Sequence, residues 1–443
     1  MESVVTKDFK NSPIGMIPHD WDIRQLQDIA ESISVGIATS TTSSYVEKGV
    51  PFIRNQNILP DKLKDNDLLY ISDSFDQANK NKRLQSGDVL TVRTGYPGIS
   101  CVVPEKYVGA QTFTTLITRP LKKYIEPTFL SRYFNSPFGS EQMLGRAAGG
   151  AQQNINAGSL KSLHIPIPPL PEQKKIARIL SSVDSKLALI DQQITTTQTL
   201  KKGLMQKLFT QGVGTQDADG RWQPHTEFQE TELGKIPVAW LASLINQHVS
   251  KVGSGVTPKG GSKAYLSEGI PLIRSQNVLV GRLDLTDVAY ISNEQYQKMK
   301  SSMLESNDVL LNITGASIGR CCLLPKNIQE ANVNQHVCII RTTDDLLPSY
   351  TAYFFNSEFG QSQIWSLQAG GNREGLNFQQ IRSFRIPLPP LKEQQEIARI
   401  LSTVDRKLDH LQTQKAQTQQ LKKGLMQKLL TGQIRVQPDP QDN

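Results

Sequence analysis

No run of eighteen apolar residues occurs in this 443-residue sequence, which excludes a membrane-spanning helix. The first residues, MESVVTKDFKNSPIG, lack an apolar signal region, and the chain reads as cytosolic. Cysteine is scarce. Cys101, Cys321, Cys322 and Cys338 have neither the density of a disulfide scaffold nor the spacing of zinc ligands, so buried free thiols are expected. His19, His164, His225, His248, His336 and His410 show no metal-ligand clustering and read as structural or surface residues. No glycine-rich phosphate loop of the GxxxxGKS/T type is present. Charge is also in short supply over most of the chain. The formal net charge is +8, but residues 171–208 hold seven Lys or Arg against three Asp or Glu, and residues 392–429 hold eight against four. Those two segments account for the whole excess. Elsewhere any surface for a polyanion must be a local patch.

What is present is a duplication. LKKGLMQKL stands at 200–208 and again at 421–429. It is the tail of a longer match: over 165–213 against 386–434, about 30 of 49 positions are identical without a gap. Fainter parallels precede it in order. GVPFIRNQNI (49–58) matches GIPLIRSQNV (269–278), GDVLTVRTG (87–95) matches NDVLLNITG (307–315), and AGGAQQNIN (148–156) matches AGGNREGLN (369–377). The chain is therefore a variable block and a repeated block, twice over. Duplicated copies keep what must do one job twice and drift where the jobs differ.

The repeated block has the apolar spacing of a long helix. Ile176, Leu180, Val183, Leu187, Ile190 and Ile194 alternate steps of four and three, followed by Leu200, Leu204 and Leu208. The second copy offers Ile397, Leu401, Val404, Leu408 and Leu411, then Leu421, Leu425 and Leu429. Pro171 is a plausible helix start, and the proline run before it a stiff, extended lead-in. Each helix is expected to run roughly 38–40 residues, about 55–60 Å. So polar a helix is marginal alone. The two are expected to pair, antiparallel, with the variable blocks at opposite ends. Gly203 and Gly424 interrupt the pattern, either as tolerated defects or to admit another helix or a partner.

The variable blocks read as mixed α/β. VPFIR, DVLTVRTG, CVVP and TFTTLITRP are strand-like, and IEPTFLSRYFNS and LPSYTAYFFNS look like short helices with aromatic residues turned inward. The fold class is thus α+β: two mixed α/β domains joined by two long helices forming an antiparallel coiled coil, with a pseudo-two-fold internal repeat. The expected boundaries are 1–164, 165–213, a linker at 214–230, 231–385, 386–434 and a tail at 435–443.

With IPxPPLxEQ, IARILSxVD and LKKGLMQKL in both copies, this layout resembles the specificity subunit of type I restriction–modification systems over essentially the full length. The resemblance implies that each variable block is a target-recognition domain reading one half of a bipartite, asymmetric site in double-stranded DNA. The coiled coil would fix the spacer. Two modification subunits would dock on it, methylating adenine, and two restriction subunits would add translocation and cleavage. The subunit itself would be non-catalytic, with S-adenosylmethionine, ATP and magnesium on the partners, in a prokaryotic cytoplasm. The chain also lacks the glycine-rich methyl-donor loop and the Asn-Pro-Pro-aromatic tetrapeptide of adenine methyltransferases. Two other classes compete: an enzyme with an unrecognised site in a variable block, and a duplicated scaffold that binds only proteins.

Candidate DNA contacts follow from donors and acceptors on loops. Arg54 and Gln56 recur as Arg274 and Gln276. They could read bases, or, being shared by both copies, position the backbone or stabilise the fold. The divergent loops carry Thr39, Ser40, Thr41 and Thr42 against Thr257, Lys259 and Ser262, and Gln152, Gln153 and Asn154 against Arg373. Arg93, with Asn312 near its counterpart, precedes Thr-Gly in both copies. Gly255, Gly260 and Gly261 are small enough to let backbone N–H groups approach phosphate. Helix pairing and subunit docking fall to Ile176, Leu180, Val183, Leu187, Leu204 and Leu208 with Ile397, Leu401, Val404, Leu408, Leu425 and Leu429. No catalytic residue and no metal ligand is expected.

Overall fold

Short β-rich runs fold into matched sheets in the two copies. The computed structural model describes residues 8–145, 154–258, 260–368 and 375–440. In the first copy, Ser100–Val102, Val89–Thr91, Leu116–Pro120 and Ala30–Val35 form an antiparallel sheet in that order. In the second, Cys321–Leu323, Val309–Asn312, Val337–Thr342 and Val249–Ser254 repeat it. Leu90 lies opposite Ile117, and Leu310 opposite Ile339. A smaller sheet centres on Val50–Ile53, or Ile270–Ile273, each flanked by one antiparallel and one parallel neighbour. The parallel pairs Thr112 with Ile53 and Val333 with Ile273 set the register in which the two copies are matched below.

Proline starts one short helix of each copy, Pro127–Phe134 and Pro348–Asn356, where its missing N–H costs nothing. Ser136 and Ser357 then cap the helices that follow by accepting from the Gly139 and Gly360 N–H groups. Phe129, Tyr133 and Phe134, and likewise Tyr350, Phe354 and Phe355, are buried. Each such side chain contributes about 1.5–3 kcal/mol by leaving water.

The long helices run Leu170–Thr210 and Leu391–Leu429, 41 and 39 residues. The chain divides into two units, residues 1–191 with 413–443, and residues 192–412. Each unit therefore combines one variable block with the start of its own long helix and the end of the other. In the first unit, Ile176 and Leu180 share a core with Leu425, Leu429 and Leu430. In the second, Ile397 and Leu401 share one with Leu204, Leu208 and Phe209. Start packs on end in both, so the helices pair antiparallel.

The seam is a heptad throughout, and it departs from the apolar pattern at two residues. Leu200 and Leu421 are each 54% exposed. The four–three rhythm from Ile190 and Ile194 passes instead through Thr197 and Lys201 to Leu204 and Leu208, and in the second helix through Thr418 and Lys422 to Leu425. The lysines replace apolar knobs by reaching acidic partners. Lys201 lies 2.5 Å from Asp405, and Lys422, at the matching position, 2.7 Å from Asp184. A lysine stem packs its methylenes while its ammonium finds a carboxylate, which explains how a polar stretch stays in the seam. Val183, Leu187, Val404 and Leu408 are half-buried along it.

Candidate DNA interface and its anchor

The Glu-Gln of IPxPPLxEQ fastens each variable block to its helix. Glu393 is buried, and Oε2 accepts the Trp240 indole N–H at 2.8 Å. Its Oε1 accepts the Val213 and Gly214 N–H groups at 2.8 and 2.9 Å, with His225 Nε2 at 3.0 Å. Gln394 takes the Leu347 N–H and donates to the Asp345 and Pro389 carbonyls. The first unit repeats the indole and glutamine bonds, while the Ile434 N–H, at the place of Val213, turns to the Lys428 carbonyl. Glu172 accepts the Trp21 indole N–H, and Gln173 takes the Glu126 N–H. In place of His225, Arg435 from the C-terminal tail bridges Glu172 and Asp20 at 2.6–2.8 Å. The Arg435 guanidinium holds the Asp20 carboxyl below the usual carboxylate range. Gly212 and Gly432 turn the chain into these locks at positive φ, where a side chain would strike Glu393 and Trp240, or Pro18.

A second tie differs between the copies. Arg132 is buried between Asp61 and Asp184 on the first long helix. At the matching position Tyr353 donates its hydroxyl to Asp405 at 2.8 Å, its own proton held well above the usual phenol range by burial and then the Asp405 charge. Gly281 there takes the place of Asp61, and a cavity of about 380 Å³ remains beside Leu323, Leu347 and Ala398.

Above the anchor, five loops of each block meet at one edge. Gly36 N–H donates to the Thr115 carbonyl and Gly255 N–H to the Asn334 carbonyl, seating the first loop. Asn55 donates to Thr94 at 3.5 Å and accepts from Thr115 at 3.0 Å. Ile155 N–H donates to Arg93 O, and Leu376 N–H to Ile313 O, which brings the last loop in. A Cβ on Gly255 would lie 1.5 Å from the Val333 carbonyl, so close packing of its own fold demands that glycine. Gly260 and Gly261 have positive φ and serve the turn.

The structure separates the sequence's candidates. Thr39, Ser40 and Thr42 are exposed, whereas Thr41 is buried with its hydroxyl on Tyr45. Arg54 and Arg274 turn back onto the Asp67 and Asp287 carbonyls, and the Asn57 and Asn277 side chains cap the same turns. Gln56 is exposed, while Gln276 is held by the Asp287 carboxylate at 2.7 Å. Arg93 reaches Asn154 at 3.1 Å. Asn312 is fully buried on the Ser275 and Val278 carbonyls, and the counterpart of Arg93 is Ile313, whose carbonyl makes the matching bond. Thr257 bonds Gln335. Gln152, Gln153, Lys259 and Arg373 lie outside the described residues, as does the Ser262 side chain.

Three residues at this edge are not among the DNA contacts that the sequence suggests. Tyr96, two residues after Thr94, is 79% exposed. Gln335 and His336 sit between the matched strands. The signal for the latter pair was available: AQTFTT (110–115) and ANVNQH (331–336) occupy the same strand and loop yet share only the first residue.

Among the described residues no group of His, Cys, Asp or Glu could hold a metal ion, and no helix is long and apolar enough to cross a membrane. Burial pushes the Cys101, Cys322 and Cys338 thiols up to about 12, so they are unreactive packing groups.

Two matched α+β blocks, each tied by a Trp–Glu lock to an antiparallel helix pair and each lifting a loop-built edge, define a duplicated recognition protein. The profile of the type I restriction modification DNA specificity domain matches residues 18–197 and 247–420, and the chain belongs to that family. It is similar to the putative type I restriction enzyme MjaX specificity subunit of Methanocaldococcus jannaschii, 29% identical over 97% of each chain. It is also similar to the EcoKI specificity subunit of Escherichia coli strain K12, 25% identical over 96% of this chain and 91% of that one. The fold is shared with the type I restriction–modification S subunit from M. genitalium, with a TM-score of 0.57, 15% identity, and coverage of 93% and 96%. A structure describing complex assembly and conformational transition of the type I R-M system gives a TM-score of 0.57 at 17% identity, covering 94% and 99%. The chain is the DNA specificity subunit of a type I restriction–modification system, the component that confers sequence choice rather than chemistry.

Proposed function

We propose that residues 1–164 and 231–385 each read one half of a bipartite, asymmetric DNA site, and that the helical regions 165–213 and 386–434 set the spacer. One contrast carries this reading. The two loop edges share a scaffold but differ in the side chains they lift, while the C-terminal ends of the helices, 200–208 and 421–429, keep the same residues in both copies. Different tips on one frame suit two different half-sites. Identical exposed residues, Leu200, Lys202, Gln206 and Lys207 matched by Leu421, Lys423, Gln427 and Lys428, suit one kind of partner binding twice. We assign those faces to two modification subunits, joined in the full assembly by two restriction subunits, in the cytoplasm. S-adenosylmethionine, ATP and magnesium then belong to those partners. The linker 214–230 and the tail 435–443 act as the two locks on the anchor glutamates.

Thr39, Ser40, Thr42, Gln56, Arg93, Asn154 and Thr257 are the candidate DNA contacts best placed at the edges, and Tyr96 joins them. Arg54 and Arg274 serve the fold. The test is selection from randomised duplexes with the complex of this chain and its modification subunits. Enrichment of one split sequence with a fixed gap is expected. Enrichment of a single uninterrupted site, or of none, overturns the reading.

A further inference from the structure

At the edge of the second block, hydrogen bonds chain four side chains from three loops. Thr257 Oγ1 donates to Gln335 Oε1. Gln335 Nε2 faces His336 Nε2 at 3.1 Å, and His336 Nδ1 lies 2.6 Å from Thr314 Oγ1. Thr314 in turn bridges Gly375. The first block holds the same scaffold with other groups. Thr115 stands where His336 does and reaches Thr94, the match of Thr314, through Asn55. Where Gln335 projects its amide, the first block has Thr114, in the left-handed region at φ 51°.

Donor bookkeeping fixes what the amide offers. An amide nitrogen is donor only, so His336 Nε2 must accept, and the ring carries its proton on Nδ1, toward Thr314. One N–H of Gln335 is then committed to His336 and one oxygen lone pair to Thr257. Among the described residues one N–H and one lone pair of the amide remain without a partner, on an exposed side chain. That is the complement of adenine in the major groove, which presents an N7 acceptor beside an N6–H donor. Guanine presents acceptors at both places, and its O6 would face the Gln335 oxygen unpaired.

We propose that Gln335 reads an adenine in the half-site of the second block, with Thr257 and His336 as positioning residues that hold its amide in the reading orientation. The inference rests on the second block being a half-site reader. Thr114 offers no amide at the matching place, so this contact belongs to the second block alone.

The experiment compares the complex of the natural chain with complexes carrying Q335A, Q335E and T257V, using randomised duplexes and sequencing of the enriched pool. Q335A is expected to lower the preference for adenine over guanine at one position of one half-site by roughly 10- to 100-fold, leaving the other half-site unchanged. Q335E keeps the side-chain shape but presents acceptors only, so it is expected to abandon adenine at that same position. T257V frees the amide to rotate and should weaken discrimination there by less than Q335A does. If the natural chain enriches a split sequence and both Gln335 variants retain every base of it, the inference fails while the two-reader function stands. If the natural chain enriches no split sequence, the two-reader function fails and this inference with it.

Discussion

At the residue scale, the most consequential side chains are the two anchor glutamates, which touch no loop at the recognition edges. Glu393 is an acceptor for Trp240, Val213, Gly214 and His225 together. Removing it leaves buried donors unpaired, and E393A is expected to cost the second unit roughly 3–5 kcal/mol, read by denaturant unfolding. E393Q, which keeps an acceptor for the indole, should cost clearly less. Equal losses would place the lock's value in packing alone. The first unit's lock brings a pH dependence of known sign. The Asp20 carboxyl is held low by Arg435. A carboxyl whose folded pKa is depressed stabilises above its unfolded value, near 3.9, and that contribution is lost as pH falls through the folded value. Hydrogen exchange at residues 430–439, taken relative to the intrinsic rate at each pH, should therefore stay slow at neutral pH and quicken only below about pH 4. Quickening already at pH 6 would assign the tail's hold to another group.

At the scale of elements, the helix pair shows what a sequence pattern conveys and where it stops. Helix length and the outer seam of Ile176, Leu180, Ile397 and Leu401 follow from apolar spacing, and antiparallel pairing from the duplication and its pseudo-two-fold symmetry. The middle does not, because the rhythm continues through Thr197, Lys201, Thr418 and Lys422, which apolar spacing cannot register. Leu200 and Leu421 therefore look like seam residues and turn out exposed. Likewise the lock between Arg435 and Asp20 joins opposite ends of the sequence, and no local signal announces it. Gly203 and Gly424 have open space where a Cβ would stand, so nothing within the chain requires them. G203A and G424A are each expected to raise the stability of the isolated chain by about 1 kcal/mol. If a partner helix uses that opening, the same variants will bind modification subunits more weakly in titration. Unchanged affinity would move the docking face elsewhere on the helices.

At the scale of the whole molecule, the duplication separates two properties that a single-site DNA reader must settle together: which bases are read, and how far apart. The strands and loops of each block settle the first, and this was the less legible half of the sequence. Loop composition located the edges, but which side chains face outward depended on carbonyls such as those of Asp67 and Ser275 capturing Arg54 and Asn312. In the proposed function the spacing belongs to the helices, and it can be changed without touching either edge. One heptad inserted into both, at 195–199 and at the matching 416–420, adds two full turns of a seam repeating every 3.5 residues and so preserves which faces meet. It adds about 10.5 Å of length, at 1.5 Å per residue. A base pair rises about 3.4 Å, so the gap can grow by at most about three base pairs. The DNA also turns about its axis as the gap widens, which favours the smaller increments. Sites selected by the lengthened chain should therefore carry the same two half-sites with one to three more unread positions between them. A change in either half-site, or an unchanged gap with binding retained, would show that the helices do not set the distance.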